Sequence, residues 1–181
     1  MKNFVSAGAI SLAFVCTSLS AQEASFGAQS DADYAALIWE IMVAERLVGD
    51  KAIATTPYEG GPPHGAMLQT FYSTATIDGH TGDLIVKRNY GPEEVSAEQV
   101  LAGPGKHLGA ITIMYRREAG FDDDNQNWFW VKYRTDGSVD KNPEGMMLAG
   151  RVAKGADEGC IACHSGVDDY IFTADHITPD S

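Results

Sequence analysis

The stretch "GDLIVKRNY", residues 82–90, decides the class of fold. It is rich in β-branched and aromatic residues, a composition typical of a β-strand. Successive side chains of a strand point to opposite faces of the sheet, so neighbouring residues in this stretch are predicted to lie in different surroundings. The predicted faces are Ile85, Lys87 and Asn89 on one side and Leu84, Val86 and Arg88 on the other.

Four further runs share this composition: "AMLQTFYS" (66–73), "GAITIMYRR" (109–117), "NWFWVKYRT" (127–135) and "GMMLAGRV" (145–152). Helices do not alternate regularly with these runs, which favours an antiparallel sheet over parallel βαβ units. We therefore predict an α+β fold that is mainly β, built on an antiparallel sheet of about five strands with flanking helices.

Two helices and one irregular connection are predicted around the strands. A long helix begins at "SDAD" (30–33), with an N-cap and acidic residues in its first turn, and ends at Gly49. A shorter helix is predicted between Pro92 and Gly103. The stretch "TTPYEGGPPHG" (55–65) is rich in Gly and Pro and is predicted to lack regular structure.

The net charge of the chain limits the classes of partner that it can bind. Its 181 residues carry a formal net charge of −12 at pH 7. No basic stripe is available to meet phosphates, so nucleic acid is excluded as a partner. A small cationic substrate or a basic redox partner suits this charge better. The length fits one domain with a sizeable core.

The first residues have the composition of an export signal. Lys2 supplies a positive charge, residues 4–15 form a short apolar run, and residues 18–21 are mostly small. The run is too short to span a bilayer comfortably, so a removed signal peptide is favoured over a membrane anchor. We predict a signal peptide at 1–21, a single mature domain at 22–181, and a periplasmic location.

The cysteines then identify the most informative motif. Cys16 is expected to leave with the signal peptide, so Cys160 and Cys163 of "CIACH" (160–164) are the two that remain. A disulfide oxidoreductase places its Cys pair beside an early strand of a βαβ unit, and a structural zinc site needs a second pair of ligands. The remaining interpretation is covalent haem c, one per chain, with both cysteines as thioethers and His164 as the iron ligand.

The position of the motif narrows the type of haem protein. Seventeen residues follow His164 and none is Met. This order excludes the small electron-transfer cytochromes, whose methionine ligand lies far downstream of an early motif. The four-helix cytochromes do carry a late CxxCH, but the body of this chain is predicted to consist of strands.

A late CxxCH on a β-rich body resembles the cytochrome P-460 family and its close relative cytochrome c'-beta. The resemblance runs from about residue 36 to the C-terminus in matching order. It implies a curved antiparallel sheet, a C-terminal haem-binding helix and a homodimer. The stretches that carry it are "PHGAMLQTFY" (63–72), "GDLIVKRNY" (82–90), "AITIMYRR" (110–117), "NWFWVKY" (127–133) and "CIACHSGVDDYIFT" (160–173).

The resemblance also implies a site. His164 would be the proximal ligand of an open iron that oxidises hydroxylamine or a related small nitrogen species, passing electrons to a soluble acceptor such as a small cytochrome. Lys87 matches a lysine that is covalently joined to the haem macrocycle in cytochrome P-460. Asp157 or Glu158 matches a carboxylate that accepts protons, although Asp157 has a competing role as a helix cap.

Two other functions stay open. Cytochrome c'-beta binds nitric oxide without the lysine cross-link. A six-coordinate electron carrier would use His64, His80 or a methionine as its second axial ligand. Gln69 departs from the family pattern, because relatives often carry Arg there.

The sequence leaves the haem propionate partners undecided. Strand arginines are suitable donors to carboxylates, and the candidates are Arg88, Arg116, Arg134 and Arg151. The acidic stretch "DDDNQN" (122–127) lacks the Gly and Glu that a calcium-binding EF-hand loop requires, so it is predicted to be a solvated loop.

Overall fold

A computed structural model describes residues 26–172. Its strands form one open sheet in which each strand pairs antiparallel with the next along the chain. The strands are β1 (Tyr58–Glu59), β2 (Met67–Ile77), β3 (His80–Tyr90), β4 (Leu108–Arg116), β5 (Trp128–Tyr133) and β6 (Ala149–Gly150). The predicted mainly-β α+β fold with an antiparallel sheet is confirmed.

Short helices surround the sheet. They are α1 (Gln29–Ala44), α2 (Ala97–Ala102), α3 (Pro104–His107) and α4 (Cys160–His164). Two single 3-10 turns lie at Asp123–Asn125 and Asp168–Tyr170. Only α1 exceeds two turns, so the sheet is the element that fixes the position of everything else.

One face of the sheet carries the main core. Ile38 and Met42 of α1 are completely buried against the sheet, where they join Leu84 and Val86 of β3. The hydroxyl of Tyr133 donates to the main-chain oxygen of Ala35 at 2.7 Å, which holds α1 to β5. This face is the one predicted for Leu84 and Val86 by strand alternation.

The other face carries a smaller apolar cluster that seats α4 on the sheet. Ile85 and Met114 come from the sheet, and Ile161 comes from α4 itself. Trp128 and Trp130 of β5 complete the contact and are almost fully buried. The CxxCH helix therefore packs on the face opposite α1, which is also the face of Lys87.

Four predicted boundaries need correction. The first helix ends at Ala44, with Glu45 as its C-cap, instead of at Gly49. The stretch 55–65 is not wholly irregular, because Tyr58–Glu59 pairs with β2 and makes the sheet six-stranded instead of about five-stranded. The run 145–152 contributes only Ala149–Gly150 to the sheet. The second helix begins at Ala97 instead of near Pro92, because the hydroxyl of its N-cap, Ser96, accepts the first free N–H from Gln99.

The predicted signal peptide at 1–21 lies outside the described residues. Within residues 26–172, no helix has both the length and the apolar character needed to cross a membrane.

Candidate functional site

The helix α4 consists of little more than the CIACH sequence. Its N-cap is Gly159, and no side chain caps it, so the capping role considered for Asp157 is wrong. Gly159 has φ +121°, and a Cβ there would lie 2.4 Å from the Cβ of Ala153. A glycine at this position therefore allows α4 to approach the chain segment that leads into it.

The two thiols of α4 differ in exposure. Cys160 is partly buried against the apolar cluster that contains Ile85 and Met114, whereas Cys163 is exposed. Burial raises the pKa of the Cys160 thiol to about 11. Reactive thiols of disulfide oxidoreductases have lowered pKa values, so this environment is unfavourable for thiol–disulfide exchange.

The ring of His164 is buried and fixed in one tautomer. Its Nδ1 lies 2.7 Å from the main-chain oxygen of Tyr170. A carbonyl oxygen only accepts, so Nδ1 carries the proton and Nε2 keeps its lone pair. This is the arrangement found in metal-ligating histidines, where a backbone carbonyl orients the ring and leaves the other nitrogen for the metal.

The carbonyl that orients His164 is itself held by the sheet. Asp169 and Tyr170 both have left-handed backbone conformations, with φ of 55° and 62°. Trp128 Nε1 donates to the main-chain oxygen of Asp169 at 3.2 Å, and Arg116 pairs with the Asp169 carboxylate at 2.5 Å. The hydroxyl of Tyr170 donates to Asn125 Oδ1 at 3.2 Å. The segment after the motif is thus tied to β4, β5 and the turn between them.

A small cavity of about 30 Å³ lies beside the His164 ring. Apolar side chains from β3 and β4 form much of its wall, and polar groups enter it at a few points. The lining residues are His64, Ile85, Lys87, Thr112, Ile113, Met114, His164, Ile171 and Phe172. The mostly apolar lining with a few convergent polar groups is of the kind found in small-molecule sites, but the volume is well below the roughly 300–1,000 Å³ of such sites.

Lys87 is the cationic residue of this cavity and is only 9% exposed. It lies directly opposite Thr112 of β4 in the sheet, so the two share the cavity face. Within residues 26–172 it forms no ion pair, and burial lowers its pKa. A lysine of this kind is more often neutral than a surface lysine, and a neutral amine is a nucleophile.

His64 enters the same cavity from the loop between β1 and β2. Its ring is perpendicular to that of His164, at 87°, with the centroids 6.1 Å apart. Its Nδ1 lies 3.4 Å from Thr112 Oγ1. Burial lowers the pKa of His64 to about 3, and the nearby Lys87 charge acts in the same direction. The structure therefore brings two of the predicted site residues, Lys87 and His164, together with His64, one of the candidates for a second axial ligand.

Other predicted site residues lie elsewhere. Asp157 and Glu158 are exposed on the loop before α4 and do not line the cavity. His80 lies at the start of β3, where Nε2 is 3.0 Å from the main-chain oxygen of Arg116. The expectation that His80 could enter the haem pocket therefore has no support from its position.

Gln69 and the four arginines considered for propionates also have other partners. Gln69 and Arg88 are opposite each other in the sheet and bond together on the α1 face, away from the cavity. Arg134 pairs with Asp140 at an exposed position, and Arg151 donates to the main-chain oxygen of Phe121. Arg116 pairs with Asp169, in the segment that follows the CIACH motif.

The acidic loop 122–127 is more ordered than its composition indicates. Asp122 is 3% exposed and pairs with Lys154, and it also accepts from Asn125 Nδ2 at 3.0 Å. The prediction of a merely solvated loop is wrong for Asp122 and Asn125. Their burial fixes the Asn125 oxygen that receives Tyr170.

The donor set fits haem c in its chemistry. Cys160 and Cys163 lie one helical turn apart, His164 presents Nε2 from the same helix, and the cavity wall is largely apolar. The indole Nε1 of Trp130, a residue packed on His164 at 4.8 Å between ring centroids, is buried and has no partner among the described residues. A bound group with an acceptor atom would satisfy it. The thiols themselves do not line the cavity.

Among residues 26–172, no three His, Cys, Asp or Glu side chains converge as a metal ion held by protein alone would require. Comparison with family models, curated proteins and solved structures finds no match for this chain.

Sequence reasoning missed three members of the site: Thr112, the Tyr170 carbonyl and Trp130. Thr112 could have been found from alternation along the third predicted strand. The carbonyl is a main-chain atom and has no residue signature. Trp130 lies in the predicted strand at 127–135, but the lack of a partner for its Nε1 among the described residues depends on the fold.

Proposed function

We propose that the chain is a periplasmic mono-haem c protein of the cytochrome P-460 type, which oxidises hydroxylamine or a related small nitrogen species. The observation that carries the proposal is the state of His164. A buried CxxCH histidine whose Nδ1 donates to a carbonyl at 2.7 Å presents its Nε2 lone pair to a metal. Its position beside a cavity that contains a buried lysine adds to this support.

The bound haem would supply an iron that takes a nitrogen ligand and accepts electrons one at a time. The residues of the chain have separate tasks. Cys160 and Cys163 would tether the group, and His164 would ligate the iron. Ile85 and Met114 exclude water from one wall of the cavity. C-terminal to the motif, the Tyr170 carbonyl holds the ligating ring in place.

Lys87 is the residue that would modify the macrocycle. Its burial and lowered pKa favour the neutral amine. Bonding this nitrogen to a macrocycle carbon would replace one N–H and one C–H bond and release two protons and two electrons, so the step would use a two-electron oxidant such as a peroxide. The absence of an ion-pair partner in residues 26–172 leaves this amine free of a competing carboxylate. A covalent bond from Lys87 to the haem would distinguish a cytochrome P-460 from a cytochrome c'-beta.

Asp157 is proposed as the proton acceptor on the family resemblance alone. Each electron that hydroxylamine gives to an acceptor leaves with a proton, so a base is required. The carboxylate is exposed and outside the cavity wall, so it would act at the solvent end of a proton path. We expect Asp157→Asn to lower turnover by roughly a hundredfold, with Glu158→Gln as the matched control.

Electrons would pass to a soluble acceptor such as a small cytochrome, and the protein would act as a homodimer in the periplasm. The test is hydroxylamine-dependent reduction of an external acceptor by fully haem-loaded protein. We expect turnover in the wild type and its loss in Lys87→Met. No reduction above the buffer rate would contradict the enzymatic proposal.

A second function is favoured by one observation, the contact between His64 and His164. A permanently six-coordinate iron would carry electrons without binding substrate. Nitric oxide binding without turnover, as in cytochrome c'-beta, is the alternative for an open iron. The ferrous spectrum separates the open iron from the six-coordinate one, because a six-coordinate low-spin iron has a distinct absorption spectrum.

A further inference from the structure

A second cavity, with a volume of about 400 Å³, lies on the α1 face of the sheet. It is lined by a cross-strand row in which Gln69 of β2, Arg88 of β3 and Ile111 of β4 stand opposite one another. Lys87 and His164 line the small cavity on the other face, so the sheet separates the two cavities. The volume of the second cavity falls within the roughly 300–1,000 Å³ that is usual for small-molecule sites.

The polar wall of this cavity is buried. Gln69, Arg88 and Tyr90 all line it and are almost fully buried. Arg88 donates to Gln69 Oε1 at 3.1 Å, and the Tyr90 hydroxyl donates to the same oxygen at 2.6 Å. Arg88 also donates to the main-chain oxygens of Leu47 and Ile53. All of these acceptors are neutral, so the wall keeps the positive charge of the guanidinium.

Arg88 has no carboxylate partner within residues 26–172, where the ion pairs all involve other cations. A buried charge is usually paired, because the loss of hydration is costly. Asp50 also lines the cavity, but it is exposed and forms no ion pair with Arg88. The cavity therefore has an uncompensated positive charge in its wall, which favours an anionic group inside it.

The rest of the lining is mostly apolar and reaches the surface. Val100 of α2 is completely buried in a cluster with Tyr90. Leu101 and Ile53 also line the cavity, although they are 51% and 40% exposed. The apolar part of a bound molecule would remove these two side chains from water, which is favourable.

One wall of the cavity is the loop after α1, and hydrogen bonds fix it in place. Arg88 donates to the oxygens of Leu47 and Ile53, each at 2.8 Å. Within the loop, the Ile53 N–H donates to the Arg46 oxygen at 2.8 Å, and the Ala52 N–H donates to the Gly49 oxygen at 3.1 Å. Because the loop is already ordered, a ligand would lose little affinity to ordering it.

We propose that this cavity binds a small amphipathic carboxylate, meaning an apolar chain or ring that ends in a carboxylate group. The carboxylate interacts with Arg88, and the apolar part packs against Ile53, Val100 and Leu101. A cationic ligand would be repelled by Arg88, and a small inorganic anion would leave the apolar wall uncovered. The site is independent of the proposed haem, because no residue of the CIACH motif lines it.

The first test is calorimetric titration of the full-length protein, with its cofactor content as isolated. The probes are octanoate, octanol and octylamine, which share one chain and differ in the end group. We expect octanoate to bind saturably at one equivalent per chain. Octanol and octylamine should bind more weakly by at least about tenfold, because a charge-assisted hydrogen bond to the guanidinium is lost.

A pair of variants at the exposed edge tests the position of the site. Leu101→Glu adds a negative charge beside the cavity, and Leu101→Lys adds a positive one. We expect Leu101→Glu to bind octanoate roughly fivefold more weakly than Leu101→Lys. Leu37→Glu is the matched control, because Leu37 is exposed on α1 and does not line the cavity. Its affinity for octanoate should equal that of the wild type.

Arg88→Met tests the charge directly. Where circular dichroism shows this variant to be folded, it should bind octanoate and octanol with similar affinity. If it does not fold, the two Leu101 variants still test the proposal, because substitutions at exposed positions usually change stability little.

Four results would overturn the inference. They are no saturable binding of octanoate, equal affinity of the wild type for octanoate and octanol, equal octanoate binding by Leu101→Glu and Leu37→Glu, and a crystal structure with octanoate beside Lys87 instead of Arg88. None of them depends on haem. Failure of the proposed function is distinguishable, because it would appear as a missing haem mass or missing turnover while octanoate binding persists.

Discussion

Lys87 and Arg88 are neighbours in β3 but lie on opposite faces of the sheet, and only Lys87 lines the cavity beside His164. Arg88 donates to the main-chain oxygens of Leu47 and Ile53, each at 2.8 Å, and to Gln69 at 3.1 Å. Lys87 has no comparable set of acceptors within residues 26–172. Arg88 therefore holds a loop to the sheet, whereas Lys87 is left available to a bound group.

This difference predicts opposite effects on stability. Arg88→Met should lower the free energy of unfolding by roughly 3 kcal/mol, because it leaves buried carbonyl oxygens without donors. Lys87→Met should keep or raise it, because methionine fills a similar volume without a buried charge. Urea unfolding of both variants at neutral pH, in a background with Cys160 and Cys163 replaced by serine that carries no haem and so no cross-link to Lys87, measures the difference. Equal losses in the two variants would contradict the assignment of roles.

The proposed bond between Lys87 and the haem predicts a distinctive digestion product. Trypsin treatment of haem-loaded wild type should release a fragment in which the Lys87 peptide and the Cys160 peptide are joined through haem. Lys87→Met should release only the haem peptide. The cross-linked wild type should have a red-shifted Soret band, and Lys87→Met should have a Soret band at an ordinary c-type position. A free, unmodified Lys87 peptide from the wild type would rule out the bond.

The glycine before the CxxCH helix predicts a strict steric requirement. Gly159→Ala introduces a Cβ only 2.4 Å from that of Ala153, at a φ of +121°. We expect a loss of about 1–3 kcal/mol in unfolding free energy and a lower yield of haem-loaded protein. Gly61→Ala is the control, since nothing lies within 4 Å of its Cβ position. Equal behaviour of the two variants would contradict the close approach.

Acid stability should depend on the turn between β4 and β5. The Gly120 N–H and the Asn127 amide donate to Asp123 and lower its pKa below the usual 3.8. A lowered folded pKa means that this stabilisation is present above the unfolded pKa and is lost as the pH falls through the folded pKa. Urea midpoints from pH 6 to pH 2 should therefore fall less steeply for Asp123→Asn.

The control for this effect is Glu93→Gln, which removes an exposed carboxylate outside that turn. Its midpoints should follow the wild type across the same pH range. The account of the turn is wrong if Asp123→Asn retains the full acid dependence of the wild type.

Local sequence patterns were sufficient for part of this structure. Alternation in 82–90 correctly placed Lys87 and Arg88 on opposite faces, because side-chain direction in a strand depends only on position along it. A helix at the CIACH motif was expected from the family resemblance and not from a local pattern, and the structure has a one-turn helix at Cys160–His164. The two-residue strand at Tyr58–Glu59 was missed, because its pairing with β2 outweighs the Gly and Pro around it.

Long-range features of the site had no local signal. His64 and Thr112 are 48 residues apart and meet only after the β1–β2 loop closes over the sheet. The direction of Gln69 follows from its register opposite Arg88, which requires knowledge of the pairing. Asp122 looked solvated within an acidic run, and its burial depends on Lys154, 32 residues later. These features arise from tertiary contacts and not from the composition of any one segment.

The measurement that tests the central claim most directly is the intact mass of the mature protein, produced in cells able to attach haem c. The account predicts a polypeptide heavier by one haem, with Cys160 and Cys163 resistant to thiol reagents and the haem retained in denaturant. Replacement of both cysteines by serine should abolish the added mass. A wild type of unmodified mass with two free thiols, obtained alongside a normally loaded control cytochrome, would contradict it.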